Sequence, residues 1–285
     1  MGLIVAMWSP LHGRGTTANC IAAATQFSYK YNAKVYMLHT HYSRSTMETA
    51  FLSGKEEEDL MTFSDLGIDS IERALKTGLL QKEDFKSYCN KINDNLYMLS
   101  GSKKSRYSLF DKSIGETFAS IINFAKESND ITFIDVESAF TKEIAFRVID
   151  LADIVVVNLD QTNYLCEEYF SKDNKHRIDK EKEMIVIARY DWESKYSKKY
   201  IDKAFKQDVF VIPQLTEYLD AMNNHRVNSF FKANYELEDE LFFDEINRLN
   251  ERIVEKAREK NIIFEKKEIV PTDSKKQKFK IFNRR

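Results

Sequence analysis

The N-terminal stretch 1–24, MGLIVAMWSPLHGRGTTANCIAAA, constrains the fold of this chain more than any other segment. A short apolar strand, Leu3–Met7, runs into a turn with two glycines, and a threonine pair then opens an alanine-rich helix. This strand–loop–helix layout is that of a P-loop, in which backbone amides and the start of a helix hold a phosphate. The lysine that normally precedes the threonines is replaced by Gly15. The sequence therefore predicts the frame of a phosphate site without its usual charge.

Seven apolar segments of strand length recur along the chain, with helical patterns between them. They are Leu3–Met7, Lys34–Leu38, Leu96–Leu99, Ile131–Ile134, Ile154–Asn158, Met184–Ala188 and Val209–Ile212. Strands that are apolar on both faces and alternate with helices predict a three-layer α/β fold with a doubly wound, mostly parallel sheet. Ligands of such folds bind at the carboxyl ends of the strands.

The 285 residues leave room for one large α/β domain with a small appendage. We predict a P-loop domain over 1–235, a C-terminal helix packed on it within 236–270, and a basic, disordered tail over 271–285. A polar insertion between the second and third strands is expected to form three short helices, Glu57–Asp65, Asp69–Gly78 and Lys82–Ile92. The C-terminal helix is expected over Glu236–Lys260, with an apolar stripe of Leu241, Ile246, Leu249, Ile253 and Ala257.

The turn after the first strand supplies most of the candidate ligand-binding residues. They are His12, Gly13, Arg14, Gly15, Thr16 and Thr17. Gly13 and Gly15 let the backbone approach a phosphate, and the Thr16 hydroxyl can ligate Mg²⁺. Arg14 is the only arginine or lysine in the turn, and we interpret it as the substitute for the missing lysine, with a planar guanidinium in place of an ammonium. The alternative is an ordinary strand-to-helix turn with helix-capping threonines.

Three further residues carry candidate metal chemistry. Asp135 ends an apolar strand, where its carboxylate can hold Mg²⁺ together with Thr16. The alternative for Asp135 is a cap on the following helix. His39 and His41 alternate along an extended segment, so both side chains can point to one side and bind a metal, although no third ligand lies near them in the sequence. The alternative is that the two histidines simply occupy this corner.

The segments around these residues resemble the ParA/MinD family of P-loop ATPases in order and spacing over about 1–231. WSPLHGRGTTAN has the position of the family's deviant P-loop, and AKVYMLHTHYS resembles its second strand and switch I. NDNLYMLSGSKK resembles the family segment that comes next. DITFIDVES resembles its Walker B and switch II strand, LADIVVVNLDQ the strand after that, and VFVIPQLTEYLDAMNNHRVNSFF the segment beside the nucleotide base. The Ser-Pro-x-His-Gly start of the loop looks like the atypical TadZ/CpaE-like branch.

The resemblance implies ATP and Mg²⁺ as cofactors. It implies an ATP-dependent homodimer that acts as a positioning or assembly factor with a protein partner, in pilus, secretion or conjugation machinery or in plasmid partition. It places Pro213 and Leu215 near the adenine, and Thr16 and Asp135 at the Mg²⁺.

The departures from the family pattern fall on the chemistry of hydrolysis. The family's two lysines correspond to Pro10 and Gly15, and its switch I aspartate corresponds to His39. We therefore expect slow hydrolysis or none, and assign no catalytic residue. The alternative is a nucleotide-free pseudo-ATPase scaffold that acts through protein–protein contacts.

Charge and cysteine content bear on the partners of the chain and on its cellular compartment. The net charge of −2 gives no general attraction to nucleic acid, but the tail Ser274–Arg285 carries six cations and no acid. A solvated tail is the simpler interpretation, and contact with nucleic acid or with the inner face of a membrane is the alternative. The three widely separated cysteines fit a reducing cytoplasm.

Overall fold

The computed structural model describes residues 1–42, 45–53, 66–78, 80–110, 115–138, 143–171, 178–237 and 240–268. The strands within these residues are β1 (Leu3–Trp8), β2 (Val35–His39), β3 (Asn90–Lys91), β4 (Leu96–Met98), β5 (Ile131–Asp135), β6 (Ile154–Leu159), β7 (Glu183–Tyr190) and β8 (Val209–Pro213). They form one sheet in the order β3-β4-β2-β5-β1-β6-β7-β8. The β3–β4 pair is antiparallel and the other pairs are parallel.

Helices cover both faces of this sheet. They are α1 (Thr16–Lys30), α2 (Thr46–Thr49), α3 (Ile68–Thr77), a 3₁₀ helix (Lys82–Tyr88), α4 (Tyr107–Phe110), α5 (Glu116–Ser128), α6 (Glu143–Leu151), α7 (Asn163–Phe170), α8 (Lys198–Phe205), α9 (Thr216–Asn223), α10 (Val227–Asn234) and α11 (Leu241–Glu259). One core lies between the sheet and α1, α9, α10 and α11, and the other includes residues of α3, α5, α6 and α7. The predicted three-layer, mostly parallel α/β fold is confirmed.

The central strand β1 shows why the sequence folds this way. Its residues alternate between the two cores: Leu3, Val5 and Met7 pack on the α1 side, and the residues between them pack on the other. Side chains alternate across a strand, so an unbroken apolar run requires cover on both faces. The strand is fully buried and lies between β5 and β6, which places the loop after it in the middle of the carboxyl edge of the sheet.

The count of seven strands was one too few, because the predicted helix Lys82–Ile92 was wrong at its end. Its first part is a 3₁₀ helix, but the chain becomes extended at Cys89 and then forms the short antiparallel strand β3. The side-chain oxygen of Asn93 accepts hydrogen bonds from the amides of Asn95 (2.9 Å) and Leu96 (2.8 Å). Such a side-chain turn stabilises the reversal between β3 and β4.

The C-terminal helix begins later than predicted. Helix α11 starts at Leu241 rather than Glu236, and Leu241 itself is 51% exposed, so it does not join the buried stripe. After α11 the chain turns back, and the backbone of Lys266 forms an isolated antiparallel β-bridge with Tyr31, just beyond the end of α1. The predicted helix Glu57–Asp65 and the tail 271–285 lie outside the described residues. Among the described helices, none combines the length and the apolar character needed to cross a bilayer.

Candidate functional site

The loop between β1 and α1 has the backbone geometry that a close approach to a ligand requires. Gly13 and Gly15 both adopt left-handed conformations, with φ of 73° and 75°, which residues with a Cβ rarely adopt. A Cβ on Gly15 would also lie 3.4 Å from the Cβ of Ala188 on β7. The loop is therefore held against β7, and its two glycines are explained by its conformation.

The start of α1 is open to an anion. Gly15 is the N-cap residue and makes no side-chain capping bond, and the first turn of α1 carries no acidic residue. Backbone amides and the positive end of the helix dipole attract negative charge at such an end. The Thr16 hydroxyl in this turn is buried and has no hydrogen-bond partner within the part of the chain that the structure describes.

Asp135, at the end of β5, faces this corner. The Thr17 hydroxyl donates a hydrogen bond to Asp135 Oδ2 (2.7 Å), and His41 Nε2 lies 3.1 Å from the same oxygen. The other oxygen, Oδ1, is buried without a hydrogen-bond partner among the described residues. Asp135 is therefore hydrogen-bonded to the first turn of α1 through Thr17 rather than Thr16. Its predicted role at Mg²⁺ together with Thr16 stays a prediction.

The chemistry of these oxygens fits Mg²⁺. Thr16 Oγ1 and Asp135 Oδ1 are hard oxygen ligands, each buried and without a hydrogen-bond partner among the described residues. Thr17, the neighbour of Thr16 in the chain, bonds the other oxygen of Asp135. Mg²⁺ at phosphate sites needs only one or two protein ligands, because phosphate and water supply the rest. Among the described residues, no group of three or more His, Cys, Asp or Glu side chains is placed to hold a metal ion by itself.

His39, the last residue of β2, and His41, two residues later, face different carboxylates. His39 Nε2 donates to Glu48 Oε1 (2.7 Å), which also accepts the Gly101 amide (2.9 Å), whereas His41 faces Asp135. The shared His39–His41 metal site considered above is therefore not formed. A Cβ on Gly101 would lie 2.4 Å from His39 Cε1, so only glycine fits here.

The His39–Glu48 pair is electrostatically strong. Burial opposes the charge of Glu48, but the charge of His39 and the hydrogen bonds from His39 and the Gly101 amide lower the pKa of Glu48 to about 2. Burial likewise works against protonation of His39, yet the neighbouring carboxylates, Glu48 first, raise its pKa. The site of the expected switch I aspartate is thus filled by a buried ion pair.

The opposite side of the loop is basic. Arg14 Nη1 is ion-paired with Oδ2 of Asp160, the residue after β6. Arg189, near the end of β7, donates from Nη2 to the carbonyl oxygen of Gly13 (2.7 Å), and the same nitrogen lies 3.7 Å from Asp160 Oδ2. Burial raises the pKa of Asp160, but hydrogen bonds from Thr162 and the guanidinium of Arg14 outweigh it and lower that pKa.

The remaining predicted residues lie farther along the same edge. Pro213 ends β8 and Leu215 is the N-cap residue of α9; both are partly buried. β8 is three strands from β1, a separation of roughly 14 Å at ~4.8 Å per strand. This span suits a nucleoside whose phosphates lie at the loop. His12 is exposed on the loop.

Comparison with known proteins supports the fold. The ParA family ATPase from Chlorobium tepidum TLS has a TM-score of 0.68 at 14% identity, over 88% of this chain and 98% of that one. MinD from Pyrococcus horikoshii OT3, complexed with Mg-ADP, has a TM-score of 0.62 at 13% identity, over 89% and 96%. The chain has the fold of the ParA and MinD ATPases.

Two other comparisons refine this statement. A putative plasmid partition protein from Borrelia burgdorferi B31, bound to AMPPNP, has a TM-score of 0.55 at 16% identity, over 91% of this chain and all of that one. No family model matches the sequence. No curated protein matches it either. The likeness to the ParA and MinD ATPases therefore concerns the fold.

Sequence reasoning missed two residues beside the loop of this ParA/MinD fold. Asp160 follows β6 directly and Arg189 lies in the last two residues of β7, so both are at the carboxyl edge where ligands bind. Their position relative to strand ends was a usable signal. What the sequence does not give is the pairing of these side chains with Arg14 and Gly13, which depends on the order of the strands.

Proposed function

We propose that the chain binds ATP with Mg²⁺ at the corner formed by the β1–α1 loop and Asp135. The observation that carries the proposal is a pair of buried oxygens, Thr16 Oγ1 and Asp135 Oδ1, that have no hydrogen-bond partner in the part of the chain that the structure describes. Thr16 lies in the first turn of α1, whose N-cap residue, Gly15, has no side chain to cap the helix. Buried polar atoms without partners are uncommon in folded proteins, and a bound ligand or an ordered water usually satisfies them. A phosphate-bound cation would satisfy both.

Each part of the corner has a role in this proposal. The backbone of Gly13 and Gly15 and the first turn of α1 hold phosphate, with His12 at the rim. Thr16 and Asp135 hold Mg²⁺, which neutralises phosphate charge when it is bound. Pro213 and Leu215 flank the base.

We expect this site to hydrolyse ATP slowly or not at all. Hydrolysis needs positive charge on the transferred phosphoryl group and a placed water molecule. The positions of the family's lysines hold Pro10 and Gly15, and His39 is engaged with Glu48 rather than with a water. Binding is less affected, because backbone amides and the helix dipole contribute much of it.

The cellular role follows by analogy. The solved structures with this fold include MinD in a MinC:MinD cell division complex from Aquifex aeolicus and the Borrelia partition protein. We propose an ATP-dependent homodimer that positions or assembles a partner protein in pilus, secretion or conjugation machinery, or in plasmid partition. The Ser9-Pro10-x-His12-Gly13 sequence supports the TadZ/CpaE-like branch as the narrower proposal.

Titration calorimetry with Mg-ATP tests the binding site. We expect submillimolar affinity for the wild type and roughly tenfold or greater weakening in Asp135→Asn, with loss of the Mg²⁺ dependence. Asp150→Asn is the matched control, because Asp150 is an exposed aspartate on α6. Absence of heat at millimolar ATP contradicts the proposal. Light scattering with and without ATP tests the dimer.

One observation favours the nucleotide-free scaffold as a second candidate. Asp135 Oδ2 is already contacted by both Thr17 and His41, and Arg14 is already paired with Asp160. A site whose polar groups satisfy one another gains less from a ligand. The same calorimetry separates the two candidates.

A further inference from the structure

We propose that Arg189 is a nucleotide-site residue: with Arg14 it supplies the positive charge that the lysine-free loop lacks, and Asp160 holds both guanidinium groups beside the loop until phosphate binds. This inference rests on the proposed nucleotide function and adds to it the source of the charge. It assigns a role to a residue of β7 that lies 176 positions along the chain from the loop it contacts.

The contacts place both arginines at one point of the loop. Arg189 Nη2 donates to the Gly13 carbonyl, next to Arg14 in the chain, and also lies 3.7 Å from the oxygen of Asp160 that Arg14 binds. One carboxylate therefore faces two guanidinium groups. The cluster keeps a net charge of +1 at the rim of the corner, where a polyphosphate carries several negative charges.

Backbone strain at Arg189 supports a site rather than a chance surface contact. Its φ is 50°, in the left-handed region, and the β7–β8 register shifts between Ala188 and Tyr190. A residue other than glycine rarely adopts this conformation, because its Cβ crowds the backbone there. The irregularity turns Arg189 out of the strand pattern and towards the loop, whereas Ala188 contacts the place where a Gly15 Cβ would be.

The arginines are accessible enough to be exchanged between partners. The side chains of Arg14 and Arg189 are 26% and 49% exposed, and that of Asp160 is 13% exposed. Ion pairs near the surface contribute little to stability, so releasing Asp160 costs little. Guanidinium groups bind phosphate with paired, charge-assisted hydrogen bonds that are stronger. Phosphate is therefore the better partner for both side chains.

Binding measurements on matched variants test this. The titrants are ATP, ADP, AMP and inorganic tripolyphosphate, each with Mg²⁺, added to the full chain. We expect Arg189→Gln and Arg14→Gln to weaken ATP binding roughly ten- to hundredfold, with a loss that decreases from ATP to ADP to AMP. Asp160→Asn should tighten ATP binding, because it frees both arginines while its Oδ1 still accepts the Thr162 amide.

A merely structural role for Arg189 gives a different pattern. If Arg189 only braces the loop through Gly13, its variant weakens AMP and ATP alike, and Asp160→Asn weakens rather than tightens binding; either result overturns the inference. Arg252→Gln is the control, because Arg252 forms a half-exposed ion pair with Glu255 within α11. A circular dichroism melt of each variant shows that it is folded.

The failure of the inference can be told from the failure of the proposed function. If the wild type binds ATP and Arg189→Gln binds it equally well, the inference fails and the nucleotide site stands. If ATP does not bind but tripolyphosphate does, and the arginine variants weaken that binding, the arginine site stands and the nucleotide function fails. If the wild type binds neither titrant, both are overturned.

Discussion

The two sides of the β1–α1 loop are built on opposite principles. On the β5 side, the charged groups are buried: Asp135 is fully buried, and the His39 and Glu48 side chains, which are paired with each other, are only 3% and 7% exposed. On the β6 side, Arg14, Asp160 and Arg189 form a partly exposed cluster of charges. Both sides meet the same loop.

The difference lies in what each side contributes. A buried ion pair that loses one partner leaves an uncompensated charge in a medium of low dielectric constant, so the β5 side should govern stability. A partly exposed ion pair is screened by water and exchanges partners cheaply, so the β6 side should govern affinity for an anion. The proposed site thus combines a rigid, buried β5 side with a β6 side whose charges can change partners.

The largest expected effect is on the buried side. Glu48→Ala should destabilise the protein by about 3–5 kcal/mol, because it leaves His39 and the Gly101 amide buried without their shared acceptor. Urea unfolding measures the change. Glu251→Ala is the matched control: it removes a carboxylate of the Glu251–Lys266 ion pair, whose side chains are 49% and 66% exposed, and should cost less than about 1 kcal/mol. Equal losses would show that the two kinds of pair do not differ.

The pH dependence of the same pair comes next. The pKa of Glu48 falls from an ordinary value of 4.5 to about 2 on folding, so its contribution is complete above pH 4.5 and is lost as the pH falls towards 2. Its size is at most about 3 kcal/mol. Glu48→Gln keeps the shape but does not titrate, so the wild-type advantage over this variant should shrink across that pH interval. A constant advantage would mean that the charge of Glu48 does not stabilise the fold.

Most of the fold could be predicted from the sequence, and the reason is physical. An apolar run such as β1 must be covered on both faces, and seven such runs alternating with helices leave few alternatives to a parallel sheet. The strand β3 was missed because two residues carry no periodicity; the turn at Asn93 defines it. Patterns of several residues predict elements, whereas single hydrogen bonds fix the short ones.

The candidate site could be predicted only where its residues are close together in the sequence. The loop glycines and the carboxylate at the end of β5 follow from strand ends and turn chemistry. The Arg14–Asp160 pair and the His39–Glu48 pair do not, because each joins side chains whose partners are chosen by strand order or by a later helix. One arginine in a chain with 45 acidic residues has too many possible partners for a sequence pattern to identify the right one.

The loop itself should give an intermediate effect. Gly15→Ala forces a Cβ into a left-handed conformation and to 3.4 Å from Ala188, and we expect a loss of about 1–2 kcal/mol with weaker Mg-ATP binding. Gly78→Ala is the matched control, since Gly78 has a φ of 68° but nothing within 4 Å of its added Cβ. The control should lose similar stability and keep its affinity for ATP. If both variants bind equally, the loop does not contact the ligand.

The smallest effect on stability is expected at the exposed side. Arg14→Gln breaks the ion pair with Asp160, yet water reaches both side chains, so the free energy of unfolding should change by less than about 1 kcal/mol. The same urea titration that detects the loss in Glu48→Ala measures it. Arg14→Gln is also expected to weaken ATP binding strongly, so it should lower the affinity for ATP while leaving the free energy of unfolding nearly unchanged. Glu48→Ala should instead act mainly on the free energy of unfolding. A loss above about 3 kcal/mol of unfolding free energy in Arg14→Gln would mean that the Arg14–Asp160 pair stabilises the fold as the buried β5 side does. Phosphate could then not draw Arg14 away from Asp160.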